Sequence, residues 1–119
     1  MAESLYKYLV VAGVINSEAT GTIITSTETE PVILDTLLVY ESTAARNDDA
    51  IVRAYVEREK IAELPVGAFL DWATVPAYIQ AAGRIPLDRE LPVGQSLIVG
   101  QVSGAVASDM TFGLVYHLK

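Results

Sequence analysis

Alternation over the last ten residues constrains this chain more than any other feature. Met110, Phe112, Leu114, Tyr116 and Leu118 interleave with Thr111, Gly113, Val115, His117 and Lys119. A period of two puts the first set on one face of a β-strand. A helix would mix the two sets, because it groups residues three and four apart. The chain therefore ends on a strand, and the same pattern recurs upstream.

Leu5 to Ile15 is rich in β-branched and aromatic residues and predicts a strand, with Tyr6, Tyr8, Val10, Ala12 and Val14 on one face and Leu5, Leu9 and Val11 on the other with Lys7. A helix from Ser4 competes, but Val10, Val11, Val14 and Ile15 disfavour it. Asn16 to Gly21 predicts a turn. Thr22 to Glu30 reads as a polar edge strand blunted by Glu28, Glu30 and Pro31. Val32 to Glu41 predicts a long buried strand, with Ile33, Leu37 and Val39 on one face and Val32, Leu34, Leu38 and Tyr40 on the other.

After a polar loop, Ser42 to Asp49, the segment Ile51 to Glu59 alternates, placing Val52, Ala54 and Val56 inward and Arg53, Glu57 and Glu59 outward. Asp48 and Asp49 could instead cap a helix stopped by Pro65. A strand through Val56 is preferred, closing a hairpin with the strand before it. Prolines and glycines then break the pattern into short pieces, Ala68 to Trp72 and Arg84 to Leu87, with one helical turn at Val75 to Ala82 ended by Gly83. A tight turn at Leu91-Pro-Val-Gly-Gln-Ser leads into the strand Leu97 to Val102, and Gly104 to Asp109 loops to the last strand.

Seven or eight strands separated by regular turn signals, with at most one short helix, predict an all-β fold: an antiparallel β-sandwich, jelly-roll-like. At 119 residues the chain is expected to form one domain, 1–119. The expected core is Val32, Leu34, Leu38, Tyr40, Val52, Val56, Leu97, Val99, Phe112, Leu114 and Tyr116.

Composition bounds the function. The net charge of −7, from 15 acidic and 8 basic side chains, argues against nucleic acid as a partner, because phosphate neutralisation needs a basic face. There is no cysteine for disulfides or thiolate metal sites. No apolar run approaches the roughly 20 residues of a membrane helix, and the Met-Ala-Glu-Ser start lacks the basic region of a signal peptide. No membrane association is expected.

The order of parts in the second half carries a resemblance. Val32 to Glu41 leads to Ile51 to Val56, then Ile85-Pro-Leu87, then Leu91-Pro-Val-Gly-Gln-Ser-Leu97, a small-residue loop and the closing Phe112-Gly-Leu-Val-Tyr116. This resembles small β-sandwich and jelly-roll proteins of virus and bacteriophage particles: minor capsid, decoration and fibre-associated subunits. The resemblance implies a non-enzymatic structural subunit of a virion. It would act by self-association, as a trimer or larger homo-oligomer, and by docking to other virion proteins. It implies no cofactor and no fixed catalytic set.

Independently, Leu5 to Ile15 and Val32 to Tyr40 are apolar on both faces. Either they are central strands of a thick sandwich, or Tyr6, Tyr8, Leu9, Val10 and Val11 contribute to a subunit interface.

Side chains with chemical potential are few. A lone histidine, His117, lacks the partners of a triad or a zinc site. Asn47-Asp48-Asp49 offers oxygen ligands but not the spaced pattern of a calcium loop, and reads as a turn. Asp88-Arg89-Glu90 reads as a solvated charge cluster in a turn. No metal site is expected. Asp71, Trp72 and Tyr78 could contact a ligand or partner, since aromatic rings stack on sugars while carboxylates accept hydroxyl protons. A carbohydrate-binding or host-attachment module is therefore the alternative function. A cupin-like enzyme would need a histidine cluster that this chain lacks.

Overall fold

The alternating tracts become eight strands: β1 (Leu5–Val11), β2 (Glu18–Thr25), β3 (Val32–Glu41), β4 (Ile51–Val56), β5 (Glu59–Pro65), β6 (Gly83–Leu91), β7 (Ser96–Val102) and β8 (Met110–Leu118). The computed structural model describes residues 3–41, 51–65, 83–104 and 109–119, and among these there is no helix, hence none that could cross a membrane. The loop Asn47 to Asp49 and the expected helical turn at 75–82 lie outside the described residues.

The strands form two four-stranded antiparallel sheets, in the orders β1-β8-β3-β6 (sheet A) and β2-β7-β4-β5 (sheet B). Strand β1 pairs with β8, β2 with β7, β3 with β6 and β4 with β5. The pairs β3–β8 and β4–β7 knit these four ribbons into sheets. A long hairpin folded at β4–β5 and wrapped over itself produces this pairing, which is the jelly roll.

That topology corrects the hairpin expected between Val32–Glu41 and Ile51–Val56. The two strands lie in different sheets, and β4 pairs instead with β5, a strand the sequence pattern missed. The β4–β5 connection is the two-residue turn Glu57–Arg58, with Glu57 at φ 55°. Its N–H donates to Ser96 O (3.0 Å) while its Oε1 accepts the Ser96 N–H (2.8 Å), so β7 holds the turn.

The core lies between the sheets. Phe112, Leu34, Leu37, Leu91, Leu97, Met110, Leu114, Val32, Val39 and Val52 are its largest sealed apolar residues. Of the expected core, Tyr116 packs only partly buried and Leu38 faces outward. A β-bulge accounts for Leu38. Leu34 pairs with Tyr116 and Thr36 with Val115, so Asp35 is an extra residue relative to β8. One inserted residue reverses the inward face of every residue that follows. Val32 and Leu34 point inward before the bulge, and Leu37 and Val39 after it.

Other boundaries also shift. β1 stops at Val11, and a turn follows in which the Ser17 N–H donates to Val14 O, with Asn16 at φ 55°, a region asparagine tolerates. β2 thus starts at Glu18, takes in four residues expected in the turn, and ends at Thr25. It is an edge strand, as expected, and so is β1. Asp88-Arg89-Glu90 is exposed as expected but belongs to β6, not to a turn, with Asp88 at φ 45° where β6 carries an extra residue opposite β3. The turn at 92–95 forms as expected: the Gln95 N–H donates to Pro92 O and Gly94 sits at φ 87°, which a side chain would strain.

Candidate functional site

Sheet A turns a greasy face to solvent along its β1 edge. Tyr6 and Tyr8 are 75% and 74% exposed and Val10 is 49% exposed, and Val14 and Ile15, in the turn after the strand, are exposed too. Among the described residues the other exposed large hydrophobics are Leu64 and Val93. Gly113 pairs with Tyr8 on one side and Leu38 on the other, so a shallow trough of about 240 Å³ opens between the tyrosines, floored by Gly113, Leu38 and Val115. Of the residues expected at an interface, Tyr6, Tyr8 and Val10 stand on this outer face. Leu9 packs on the core and Val11 is buried in it, because β1 alternates strictly. The outer side of β1 is thus uncovered in a single chain.

The inner side of β1 carries one residue out of character. Leu5, Lys7, Leu9 and Val11 pair with Tyr116, Leu114, Phe112 and Met110, so Lys7 occupies a core-facing register. Where β1 meets β2 the sandwich is closed at one end. A Cβ on Gly21 would lie 2.7 Å from Leu9 Cδ2, so the missing side chain lets the strands approach. Gln101 of β7 donates from Nε2 to Val11 O (3.1 Å), tying the sheets together. Toward Lys7 the edges part. The groove between them, about 330 Å³, is lined by Lys7, Thr22, Thr25, Thr27, Glu30 and Tyr116 above Ile23, Ile24 and Val32. Ser26, buried at its end, donates its N–H to Gln95 O and accepts the Val32 N–H on Oγ (3.0 Å).

The outer face of sheet B is charged and self-satisfied. Gly100 pairs with Arg53 on one side and Thr20 on the other. Across this bare position Arg53 donates from Nη1 to Glu18 Oε2 (3.1 Å) and from Nε to Glu63 Oε2 (2.7 Å). The Tyr55 hydroxyl donates to Glu18 (2.6 Å) and Lys60 to Glu63 (2.9 Å). The Tyr55 hydrogen bond, with Arg53, holds the Glu18 carboxyl below its ordinary range against the opposing pull of burial. Lys60, then Arg53, lowers Glu63, while Glu18 pushes Tyr55 up. Two carboxylates kept ionised this way are poorly placed as general acids near neutrality. The sequence had marked Arg53 as outward, but its partners are brought together only by the sheet order.

His117 lies 2.9 Å from Asp35 Oδ2 through Nδ1, so the histidine fixes the bulge residue. No cluster of metal-ligating side chains occurs among the described residues. Asp71, Trp72 and Tyr78 lie outside the described residues.

No family model matches this sequence and no curated protein matches it. Solved structures do share its architecture. The chain is similar to one from the cyanophage Pam1 capsid asymmetric unit, with 7% identity over 99% of this chain and 86% of that one and a TM-score of 0.54. It is similar to the protein FLHE, with 12% identity over 98% of both chains and a TM-score of 0.55. A chain from the disulfide-linked pili of Bacillus endospore appendages matches at 6% identity over 100% of this chain and 90% of that one, with a TM-score of 0.51. Likenesses at these identities establish the fold, which many functions share.

Proposed function

We propose that this chain is a non-enzymatic structural subunit of a virus or phage particle, in the capsid, as a decoration, or beside the tail or fibre. It works by self-association, as a trimer or larger, and by docking to other particle proteins. The observation that carries the reading is the exposed stripe of Tyr6, Tyr8 and Val10 beside the Gly113 trough. Exposed tyrosines on a sheet face are typical interface anchors, because they bury much area at little entropic cost.

Charge supports a second copy as the occupant. The chain carries −7, yet neither Leu5–Val11 nor Met110–Leu118 contains an acidic residue. Two copies can meet on the β1–β8 face without bringing carboxylates together. The charged outer face of sheet B would resist such contact. The capsid and pilus chains of the same fold belong to particles and filaments, which agrees with an assembly role.

Light scattering on the full chain tests this. The expected mass is at least three times the 12.8 kDa of one chain, falling toward one in the Tyr6→Ser/Tyr8→Ser double variant with unchanged β dichroism. A wild type of 12.8 kDa at tens of micromolar concentration would overturn the self-association. Mass spectrometry of purified particles tests the location, and absence of the chain from them would sink it.

A further inference from the structure

We propose that the groove between β1 and β2 binds a carboxylate-bearing sugar, a hexuronic acid, with Lys7 taking the carboxylate. The placement of Lys7 begins the argument. Three of the four core-facing residues of β1 are aliphatic, and the fourth is a lysine paired opposite buried Leu114. An ammonium cannot enter the core without a partner. Here the two sheet edges part instead, and the lysine lines an open groove.

An inward charge on an edge strand also discourages edge-to-edge pairing. That role needs Lys7 alone and leaves the rest of the lining unexplained. The Lys7 ammonium, the Glu30 carboxylate and the hydroxyls of Thr22 and Tyr116 all line the groove without a hydrogen-bond or ion-pair partner among the described residues. Beneath the polar rim, Ile23, Ile24 and Val32 make an apolar floor.

The ligand that matches this set has one carboxylate for Lys7, hydroxyls that donate to Glu30 and pair with Thr22 and Tyr116, and an apolar face for the floor. A single hexuronic acid ring supplies all three. A neutral sugar leaves Lys7 unpaired, and a bare anion leaves the floor and Glu30 unused. The groove, about 330 Å³, is at the small end of the range for ligand sites, which favours one ring over a chain of sugars. Lys7 also borders the tyrosine trough, but Tyr6 and Tyr8 do not line the groove, so the two proposals can be tested separately.

Saturation-transfer difference NMR on the full chain tests it, with sodium glucuronate and sodium galacturonate as probes and glucose and sodium acetate at matched ionic strength as controls. Saturable transfer to the ring protons of at least one uronate is expected, about tenfold stronger than to glucose, as a charge-assisted hydrogen bond implies. Lys7→Met should abolish it. Tyr116→Phe, which removes only a hydroxyl from the lining, should weaken it about fivefold, the worth of one hydrogen bond. Both variants should keep the wild-type dichroism. The Tyr6→Ser/Tyr8→Ser protein should bind as the wild type does. The proposal fails if neither uronate shows transfer, if glucose matches them, if acetate displaces them at equal concentration, or if a folded Lys7→Met still binds. Should Lys7→Met not fold, an unweakened Tyr116→Phe decides against the site.

Discussion

At Gly100 a missing side chain serves space, not torsion. A Cβ there would collide with the backbone carbonyl of Ala19 and with Thr20, because β2 and β7 approach closely at this pair. Gly21, its neighbour along the same ribbon, meets only the end of a flexible side chain, Leu9 Cδ2. The two alanine variants should therefore differ in cost. Gly100→Ala forces strands apart and should cost about 2 kcal/mol or more, as overpacking against backbone does. Gly21→Ala can be absorbed by a Leu9 rotamer change and should cost less. Urea denaturation of both gives the comparison, and equal costs would contradict the packing described for this ribbon. Neither role was legible in the sequence, since a glycine's neighbours across a sheet depend on which strands pair. Lys7 was legible in a different way: its register in an otherwise aliphatic face is readable from Leu5, Leu9 and Val11, but the groove that accommodates it is not.

Individual strands were legible where alternation is uninterrupted. β8, β7 and β4 follow their apolar period, and the inward set Val52, Ala54 and Val56 is the one the pattern indicates. The second half of β3 misled because Asp35 is inserted there, and an inserted residue has no signature in hydropathy. β5 was invisible for a related reason. Ile61 is an extra residue opposite β4, so Ile61 and Ala62 both pack on the core and the period of two is lost. Deleting Asp35 should remove the bulge and leave β3 with a plain period of two, in which Leu34 and Leu37 both still face the core, so cooperative thermal unfolding should persist. Asp35→Asn, which keeps the bulge, should retain it as well. A deletion that no longer unfolds cooperatively would mean that the bulge does more than offset the two halves of the strand.

The outer face of sheet B carries its own expectation, across three strands. Glu18 and Glu63 titrate below the ordinary 4.5 in the folded chain, so their contribution is present above that pH and is lost as acid brings the pH down through their folded values. Tyr55 is raised above 10.0, so its share is present below that value and is lost as the pH climbs through the folded one. The melting temperature should therefore fall more steeply below pH 4.5 in the wild type than in Arg53→Met, which removes the shared cation. Parallel acid profiles would show that the network adds nothing. High salt should narrow the difference, since these pairs are exposed.

For the molecule as a whole, loop lengths favour closure from the centre outward. β4 and β5 meet across a two-residue turn, whereas β1 and β8 come from opposite ends of the chain and must wait for a loop of nearly its full length to close. Closure entropy grows with loop length, so the ribbons have a natural order: β4–β5, then β3–β6 and β2–β7, and β1–β8 last. Folding of so non-local an architecture should be slow, in the range of about milliseconds to seconds. Stopped-flow kinetics on the Tyr6→Ser/Tyr8→Ser background, where self-association is removed, would resolve the order. Val52→Ala truncates a sealed residue of β4 and should act mainly by slowing folding, because its contacts are already formed at the barrier. Val11→Ala truncates a buried residue of β1 and should act mainly by speeding unfolding. If Val11→Ala slowed folding and Val52→Ala left it unchanged, the chain would be nucleating at its termini. The exposed tyrosine strand would then be in place before the sandwich it edges was complete.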